Sequence, residues 1–170
     1  LFKTKKRFGQ HFLNNEAVLA CICDYAGLSE GESCIEIGPG QGALTKYLLK
    51  TGADIHAIEI DRRLESVLEK LVNENENFSF TMADALEVDL LPLFGDAQVT
   101  VIGNLPYEIS TPLLFKLVPV RAHLKQMVFL LQKEVVERII APVGSSAYGR
   151  LSVMMQYYFD ASGLMLVGPE

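Results

Sequence analysis

Asn104, Leu105, Pro106 and Tyr107 are the residues of this chain best suited to chemistry, and they follow the apolar run 99–103. The Asn104 side-chain oxygen and the Leu105 carbonyl can accept the two hydrogens of an exocyclic amine. Tyr107 can stack on the ring that carries the amine, and Pro106 fixes the backbone between the two groups. The four residues therefore suit an amino-bearing base. A structural turn after a strand has similar composition, so support is needed from elsewhere in the chain.

A second candidate site is the glycine-rich stretch 38–42, which follows a predicted strand and opens a predicted helix. Glycines permit a tight turn and let a ligand approach the backbone at a helix N-terminus. Gly38, Gly40 and Ala43 also fit a loosened dinucleotide pattern, and Glu59 follows about 20 residues later, where a carboxylate binds ribose hydroxyls. The stretch predicts a nucleotide site, with a plain glycine turn and a solvated Glu59 as the alternatives.

The carboxylates indicate which nucleotide is bound. Glu36, Glu59 and Asp84 all fall near predicted strand ends, around one crevice. Such a field repels a pyrophosphate and tolerates a cationic centre, which favours the sulfonium cofactor S-adenosylmethionine over a dinucleotide. Asp84 can accept from the adenine amino group while a backbone N–H of the same segment donates to the ring. The alternative is that Asp84 is only a turn residue.

The elements that must position these residues follow from apolar patterning. Five short apolar strands separated by amphipathic helices predict a Rossmann-like, doubly wound, mostly parallel α/β sheet with ligands at the carboxyl ends of its strands. The predicted strands are 33–37, 54–58, 78–82, 98–102 and 126–131, with a last strand at 159–167; the predicted helices run from Asn14 or Asn15 to about 25, 43–50, 62–72, from Thr111-Pro112 onward, 133–140 and 150–157.

Length and composition bound the class of protein. With 170 residues, 49% of them hydrophobic, one domain is expected. No apolar run is long enough to cross a bilayer, and no apolar signal region follows the basic N-terminus, so a soluble, cytoplasmic monomer is predicted. The three cysteines and three histidines do not cluster at ligand spacing. We expect reduced, buried thiols and no metal.

Charge is unevenly distributed along the chain. The net charge of −6 argues against a general polyanion binder. The N-terminal arm is nevertheless basic, and a later stretch is rich in cations. Candidates for phosphate contacts are Lys5, Lys6, Arg7, Lys133, Arg138 and Arg150. A solvated arm and a solvated helix face are the alternatives.

Seven motifs occur together and in order: residues 8–13, 36–45, Glu59, 84–86, 104–107, 132–135 and 148–153. In this combination the chain resembles the bacterial small-subunit ribosomal RNA adenine dimethyltransferases of the KsgA type, which are related to the erythromycin-resistance rRNA methylases. The resemblance covers essentially the whole chain.

This resemblance implies a class I S-adenosylmethionine-dependent methyltransferase. Its substrate would be two adjacent adenosines in the 3′-terminal hairpin loop of small-subunit (16S) rRNA, met in an assembling small ribosomal subunit. Asn104, Leu105, Pro106 and Tyr107 would lie at the reacting amine. The implied cofactor site is lined by Gln10, His11, Leu13, Gly38, Gly40, Glu59, Asp84, Ala85 and Asn104.

The family's catalytic domain continues beyond the point at which this sequence stops. The resemblance therefore implies that residues 1–170 are a catalytic domain with an N-terminal basic arm at 1–13, truncated at its C-terminal edge. On this resemblance, the last strand and the small helical domain of the family, which contribute to the target-base site and to rRNA binding, are expected to lie outside residues 1–170.

Three other functions remain open at the level of sequence. An NAD-dependent oxidoreductase would explain the glycines and Glu59 but leaves the segment 104–107 without a role. A nonenzymatic assembly factor could bind rRNA and keep the cofactor fold as a scaffold. A DNA adenine methylase would share the chemistry of residues 104–107.

Overall fold

A computed structural model describes residues 15–95 and 97–167. The strands are β1 (Ser33–Ile37), β2 (Asp54–Glu59), β3 (Phe78–Met82), β4 (Val99–Asn104) and β5 (Leu124–Leu130). The helices are α1 (Glu16–Ala26), α2 (Ala43–Leu49), α3 (Glu65–Glu74), α4 (Leu91–Phe94), α5 (Tyr107–Leu117), α6 (Lys133–Ile139) and α7 (Arg150–Tyr158). Short 3₁₀ turns occupy Arg62–Leu64 and Arg121–His123.

The five strands form one sheet in the order β3-β2-β1-β4-β5, and every pairing is parallel. The chain adds β2 and β3 on one side of β1 and then crosses to add β4 and β5 on the other side. In such a sheet the ligand crevice lies at the carboxyl ends, where the direction of winding reverses. That point is the gap between β1 and β4.

Helices cover both faces of the sheet, because alternate strand residues are apolar on both sides. Leu19, Leu44, Leu48 and Leu68 bring α1, α2 and α3 onto one face. α4 and α5 pack on the other face through a second group of buried residues, which includes Leu90, Phe94, Leu113 and Leu117. A smaller cluster joins α5 to α6 and α7. The predicted doubly wound α/β fold is therefore confirmed.

The start of α5 differs from the prediction. The sequence suggested that a helix opens at Thr111-Pro112, but α5 begins at Tyr107, with Pro106 at its N-cap and Pro112 inside the helix. The buried Ser110 hydroxyl donates to the carbonyls of Pro106 (3.1 Å) and Tyr107 (2.9 Å). The backbone N–H groups of Ile109 (3.2 Å) and Ser110 (3.1 Å) also donate to the Pro106 carbonyl and close the first turn, so the helix begins before Pro112, which cannot donate an N–H.

The predicted last strand is wrong. Residues 159–167 form no strand, and β5 is an edge of the sheet within the part of the chain that the structure describes. Phe159 instead packs between two of the apolar clusters, and its N–H donates to the Met155 carbonyl at 2.8 Å. An apolar run alone does not specify a strand, because packing against helices buries the same side chains.

Other differences are small. α4 was not predicted, and Asn104 is the last residue of β4 rather than a residue after it. Cys34 is buried as expected, but Cys21 and Cys23 are only partly buried; all three are free thiols. Within the described ranges, no helix is both long and apolar enough to span a bilayer, and no group of three or more potential metal ligands occurs.

Candidate active site

The predicted site residues lie in one row at the carboxyl edge of the sheet. Hydrogen bonds extend the strand pairing one step past three strands: Gly38 N–H donates to Ile58 O (2.9 Å), Ala83 N–H to Glu59 O (2.9 Å) and Leu105 N–H to Leu130 O (3.1 Å). Asp84, Glu59, Gly38 and Asn104 therefore follow one another along β3, β2, β1 and β4. Three strand spacings, about 14 Å, separate the first strand from the last.

The glycine loop is an open cradle. Gly38 and Gly40 have φ values of 69° and 60°, which side chains rarely adopt, and a Cβ built on either residue meets nothing within 4 Å. Gly42 (φ 79°) is constrained instead by packing, since its Cβ would lie 2.7 Å from Leu71 Cδ1. A ligand can thus approach the backbone at Gly38 and Gly40, while Gly42 lets α2 sit close to α3.

Glu59 ties the loop to the next strand. Its carboxylate is 5% exposed and accepts from Gly40 N–H at 3.1 Å and from Asp61 N–H at 2.8 Å. Each carboxylate oxygen has a second lone pair, so both can still accept from a hydroxyl group. Glu59 is thereby fixed in orientation before any ligand arrives.

Asp84 forms a turn that leads away from β3. Its Oδ1 accepts from Leu86 N–H at 2.8 Å, and its carbonyl accepts from Glu87 N–H (3.0 Å) and Val88 N–H (2.9 Å). Ala85 is buried, 6% exposed. Both sequence interpretations of Asp84 are compatible with this geometry, because a turn of this kind fixes one carboxylate oxygen and leaves the other able to accept.

Glu36 does not line the crevice as an exposed carboxylate. It is 1% exposed, and its Oε2 accepts from the Thr45 hydroxyl of α2 at 2.7 Å. Burial, reinforced by the charge of Glu59, raises the pKa of Glu36 to about 7, although the Thr45 bond opposes the shift. The acidic field predicted from three carboxylates therefore depends mainly on Glu59 and Asp84.

Gly103 brings the end of β4 against the end of β1. A Cβ at this position would lie 2.8 Å from the Ile37 carbonyl oxygen and 3.2 Å from Ile37 Cβ. Only glycine allows so close an approach. The half-buried Asn104 is thus held beside the glycine loop, at the point where the winding of the sheet reverses.

Residues 104–107 differ in exposure. Leu105 is buried, while Pro106 and Tyr107 are exposed, with 49% of Tyr107 accessible. Within residues 15–95 and 97–167, no group donates to the Leu105 carbonyl. An acceptor and an open aromatic ring therefore stand side by side at the start of α5.

The candidate phosphate contacts do not form one patch. Lys133 begins α6 directly after β5, at the carboxyl edge, where it pairs with Glu137 at 3.5 Å. Arg138 and Arg150 lie where the other end of α6 meets the start of α7, joined by the Ser152 hydroxyl bond to Arg138 O. The Arg150 guanidinium lies 5.2 Å from the centre of the Phe115 ring. Of the three candidates that the structure describes, Lys133 is the one at the carboxyl edge, near the row of site residues.

Two groups of predicted residues lie outside the described residues: the cofactor candidates Gln10, His11 and Leu13, and the arm residues Lys5, Lys6 and Arg7.

Three residues that shape the site were missed from sequence. Ser110 could have been found from its position in the first turn of a helix, where a hydroxyl bonds back to the carbonyl of residue i−4. Gly103 carries no local signal, because its role depends on the neighbouring strand. The same is true of Lys116, whose ammonium donates to the carbonyls of Ala85 and Val88 in the loop after β3.

The fold and this row of residues define a class of protein. The structure is similar to a dimethyladenosine transferase from Plasmodium falciparum, with a TM-score of 0.73 and 34% identity over 84% of this chain and 50% of that one. It is also similar to the 23S rRNA methyltransferase ErmE, with a TM-score of 0.69 and 28% identity over 85% of this chain and 57% of that one. The fold is that of the S-adenosylmethionine-dependent methyltransferases.

The family model for ribosomal RNA adenine dimethylases matches residues 1–170. The chain belongs to this family, which confirms the resemblance found in the sequence. Proteins named ribosomal RNA small subunit methyltransferase A are 47% identical over 166 residues in Coxiella burnetii and 44% identical over 168 residues in Hahella chejuensis. Each alignment covers 98% of this chain, and the chain spans 64% and 62% of those relatives' lengths.

Proposed function

We propose that this chain binds S-adenosylmethionine along the carboxyl edge of its sheet and carries the methyl-transfer centre of an rRNA adenine N6,N6-dimethyltransferase. One observation supports this above the others. An acceptor for an amino group (Asp84), an acceptor for ribose (Glu59), an open glycine cradle and an amine-binding segment follow one another along the sheet. The cofactor has its adenine and ribose in the same order, followed by the sulfonium, from which the amino-acid chain and the methyl group both branch.

The residues present fit this cofactor. Glu59 offers two oriented oxygens to a pair of hydroxyls, and Gly38 and Gly40 leave their backbone open to the amino-acid part. Gln10, His11 and Leu13 belong to the proposed site through the family resemblance, together with Ala85 and Asn104. When bound, S-adenosylmethionine supplies an electrophilic methyl group on a sulfonium.

The segment 104–107 would prepare the target nitrogen. The Asn104 oxygen and the Leu105 carbonyl accept the two amine hydrogens, which favours a pyramidal nitrogen whose lone pair points at the methyl carbon. Tyr107 stacks on the base, and Pro106 holds the spacing between acceptor and ring. With the cofactor bound, these residues would hold the nitrogen in line with the methyl group, so that a C–N bond would form as the C–S bond breaks, and the amine proton would leave to water. Positioning supplies most of the acceleration.

The proposed substrate is two adjacent adenosines in the 3′-terminal hairpin loop of small-subunit rRNA, met in an assembling small subunit in the cytoplasm. Support comes from family membership and from the names of the relatives in Coxiella burnetii and Hahella chejuensis. An unpaired loop suits the exposed Tyr107, because its bases can be presented without opening a duplex. Of the candidate phosphate contacts in the described part of the chain, Lys133 is the one at the carboxyl edge of the sheet.

The test is methyl incorporation from labelled S-adenosylmethionine into small subunits that lack the modification, naked small-subunit rRNA and duplex DNA. The longer Coxiella burnetii relative serves as a parallel sample. We expect methylated adenine in the small subunits and none in DNA. Uptake of the cofactor without methyl transfer would instead favour an assembly factor, and methylation confined to DNA would overturn the rRNA assignment.

Calorimetry separates the nucleotide classes. Titration with S-adenosylhomocysteine and with NAD⁺ under the same conditions should show binding of the first and none of the second. Binding of NAD⁺ alone would restore the oxidoreductase alternative.

A further inference from the structure

Lys116 connects the turn after β3 to α5. Its ammonium donates to the Ala85 carbonyl at 2.9 Å and to the Val88 carbonyl. These acceptors belong to residues 84–88, which we call the adenine turn. Lys116 is half-buried and lies in the last turn of α5, about two and a half helical turns after Tyr107. No sequence motif of the site includes it.

The adenine turn ends in carbonyls that need a partner. The N–H groups of Glu87 and Val88 donate to Asp84 O, and the N–H of Leu86 donates to Asp84 Oδ1. These three N–H groups of the turn therefore point toward Asp84. The carbonyls point the other way, as at the C-terminus of a helix, and a lysine ammonium satisfies such groups well. Lys116 therefore closes the end of the turn opposite the Asp84 carboxylate.

Apolar packing also joins α5 to the adenine turn. Leu113 and Leu117, which flank Lys116 on α5, belong to the buried cluster that contains Ala85 and Leu90. This face of α5 thus packs against the adenine turn near the C-terminus of the helix. The N-terminus of the same helix is at Tyr107. Nine residues of helix, about 14 Å, connect the stacking ring to the lysine.

The ammonium is not merely a surface charge. Desolvation lowers the pKa of Lys116, although Asp84, Asp89 and Glu87 lie near enough to raise it. Within the described residues its hydrogen bonds go to main-chain carbonyls and no salt bridge to these carboxylates forms. Charged hydrogen bonds to carbonyls fix geometry, whereas a solvated ion pair fixes little.

We propose that Lys116 is a positioning residue that holds the adenine turn against α5 and thereby sets the selectivity of the cofactor site for a 6-aminopurine over a 6-oxopurine. This inference rests on the proposed function, since it takes the turn to be the purine site. Asp84 would accept from the 6-amino group, and the Ala85 N–H, which unlike those of residues 86–88 does not donate to Asp84, would donate to ring N1. A 6-oxopurine reverses both groups, so a rigid turn rejects it and a loosened turn does so less well.

The first test is a pair of binding titrations, with S-adenosylhomocysteine and S-inosylhomocysteine. Lys116→Met keeps the apolar stem and removes the donors. We expect the Kd for S-adenosylhomocysteine to rise about tenfold and that for S-inosylhomocysteine to change less than about twofold. Lys70→Met, on the exposed face of α3, is the matched control and should change neither value. An equal loss for both ligands, or none, would overturn the proposal.

A second test needs no ligand. Hydrogen exchange of the Leu86, Glu87 and Val88 amides should quicken in Lys116→Met and stay unchanged in Lys70→Met. If Lys116→Met does not fold, Lys116→Gln replaces it in both tests. Gln keeps an N–H donor with a reach one atom shorter, and should give intermediate selectivity and exchange.

The two tests separate the possible failures. If the wild-type chain binds neither ligand, the proposed function fails, and the selectivity role fails with it. If the wild type prefers S-adenosylhomocysteine but the preference and the amide exchange survive in Lys116→Met, only the role of Lys116 is refuted.

Discussion

The two sides of the carboxyl edge are built differently. On the side of β1, β2 and β3, which we call the cofactor half, the carboxylates are bonded within the protein: Glu36 is 1% exposed, Glu59 is 5% exposed, and the half-buried Asp84 accepts from the Leu86 N–H. On the side of β4 and the start of α5, the clamp half, Pro106 is exposed and 49% of Tyr107 is accessible. The cofactor half fixes its carboxylates by hydrogen bonds within the protein, whereas the clamp half exposes the aromatic ring of Tyr107 to solvent.

This difference matches the two ligands of the proposed reaction. A small cofactor is bound best by groups already oriented, since less freedom is then lost on binding. A base presented by a large RNA must reach its acceptors from outside, so the segment that receives it has to lie open. The following substitutions test each half separately.

Glu59→Ala should have the largest effect, and it should be confined to cofactor binding. The substitution removes the ribose acceptor and releases the N–H groups of Gly40 and Asp61. Hydrogen bonds to a charged group contribute about 1.5 to 3 kcal/mol each, so we expect the Kd for S-adenosylhomocysteine to rise more than about hundredfold. Calorimetry measures it, with Glu69→Ala on α3 as control. An unchanged Kd would mean that the loop does not depend on its carboxylate.

The cofactor half was largely predictable because its signals are local. The glycines 38, 40 and 42 need conformations that side chains rarely adopt, and all three have positive φ. The spacing to Glu59 follows from one strand, one helix and the next strand. Glu36 is the exception. The sequence placed it near a strand end, but whether it faces the crevice or Thr45 depends on how α2 packs.

Glu36→Gln tests whether the Glu36 carboxyl in the cofactor half is shielded from water. The pKa of Glu36 is about 7 in the folded chain and 4.5 as the ordinary value, so folding favours its neutral form. Between pH 4.5 and pH 7 the Glu36 carboxyl keeps its proton in the folded state and loses it in the unfolded state. The free energy of unfolding therefore falls as pH rises from about 4.5 to about 7. The loss amounts to about 3 kcal/mol. Urea unfolding at several pH values should show this decline in the wild type.

In Glu36→Gln the decline due to this group should disappear, because the amide does not ionise and its oxygen can still accept from Thr45. Subtracting the pH profile of the variant from that of the wild type cancels the other titrating groups. Glu69→Gln, on the solvent side of α3, should retain the wild-type slope. Parallel profiles for wild type and Glu36→Gln would show that the carboxyl is hydrated.

Asn104→Ala moves the test to the clamp half. Loss of one of two amine acceptors should lower kcat about hundredfold, since misplacement of a reacting group by about 1 Å costs that much. The Leu105 carbonyl remains, which limits the loss. The Kd for S-adenosylhomocysteine should rise less than kcat falls, by less than about tenfold, because Asn104 is only one of several residues of the proposed cofactor site. A variant that methylates small subunits at the wild-type rate would remove Asn104 from the mechanism.

The clamp half was less predictable because its geometry is set by contacts distant in sequence. Gly103 is required by the Ile37 carbonyl of another strand, and Lys116 by carbonyls about 30 residues earlier in the chain. Pro112 predicted a helix that begins at Thr111-Pro112, but α5 begins earlier in the chain, at Tyr107. Ser110 bonds to the carbonyls of Pro106 and Tyr107 in this first turn. The motif 104–107 predicted the kind of chemistry, but not the contacts that position these residues.

Tyr107→Ala should have the smallest effect, and only on engagement of the substrate. Stacking of a base on an aromatic ring is worth about 1 to 3 kcal/mol, so KM for unmethylated small subunits should rise about tenfold to hundredfold. Tyr107→Phe keeps the ring and should stay within about twofold of the wild type. Because Tyr107 lies on the open side of the edge, neither variant should change the Kd for S-adenosylhomocysteine.

If Tyr107→Phe were as impaired as Tyr107→Ala, the hydroxyl rather than the ring would be the functional group. If both variants lost cofactor affinity, the two halves would share one site, and the separation between a closed cofactor half and an open clamp half would fail.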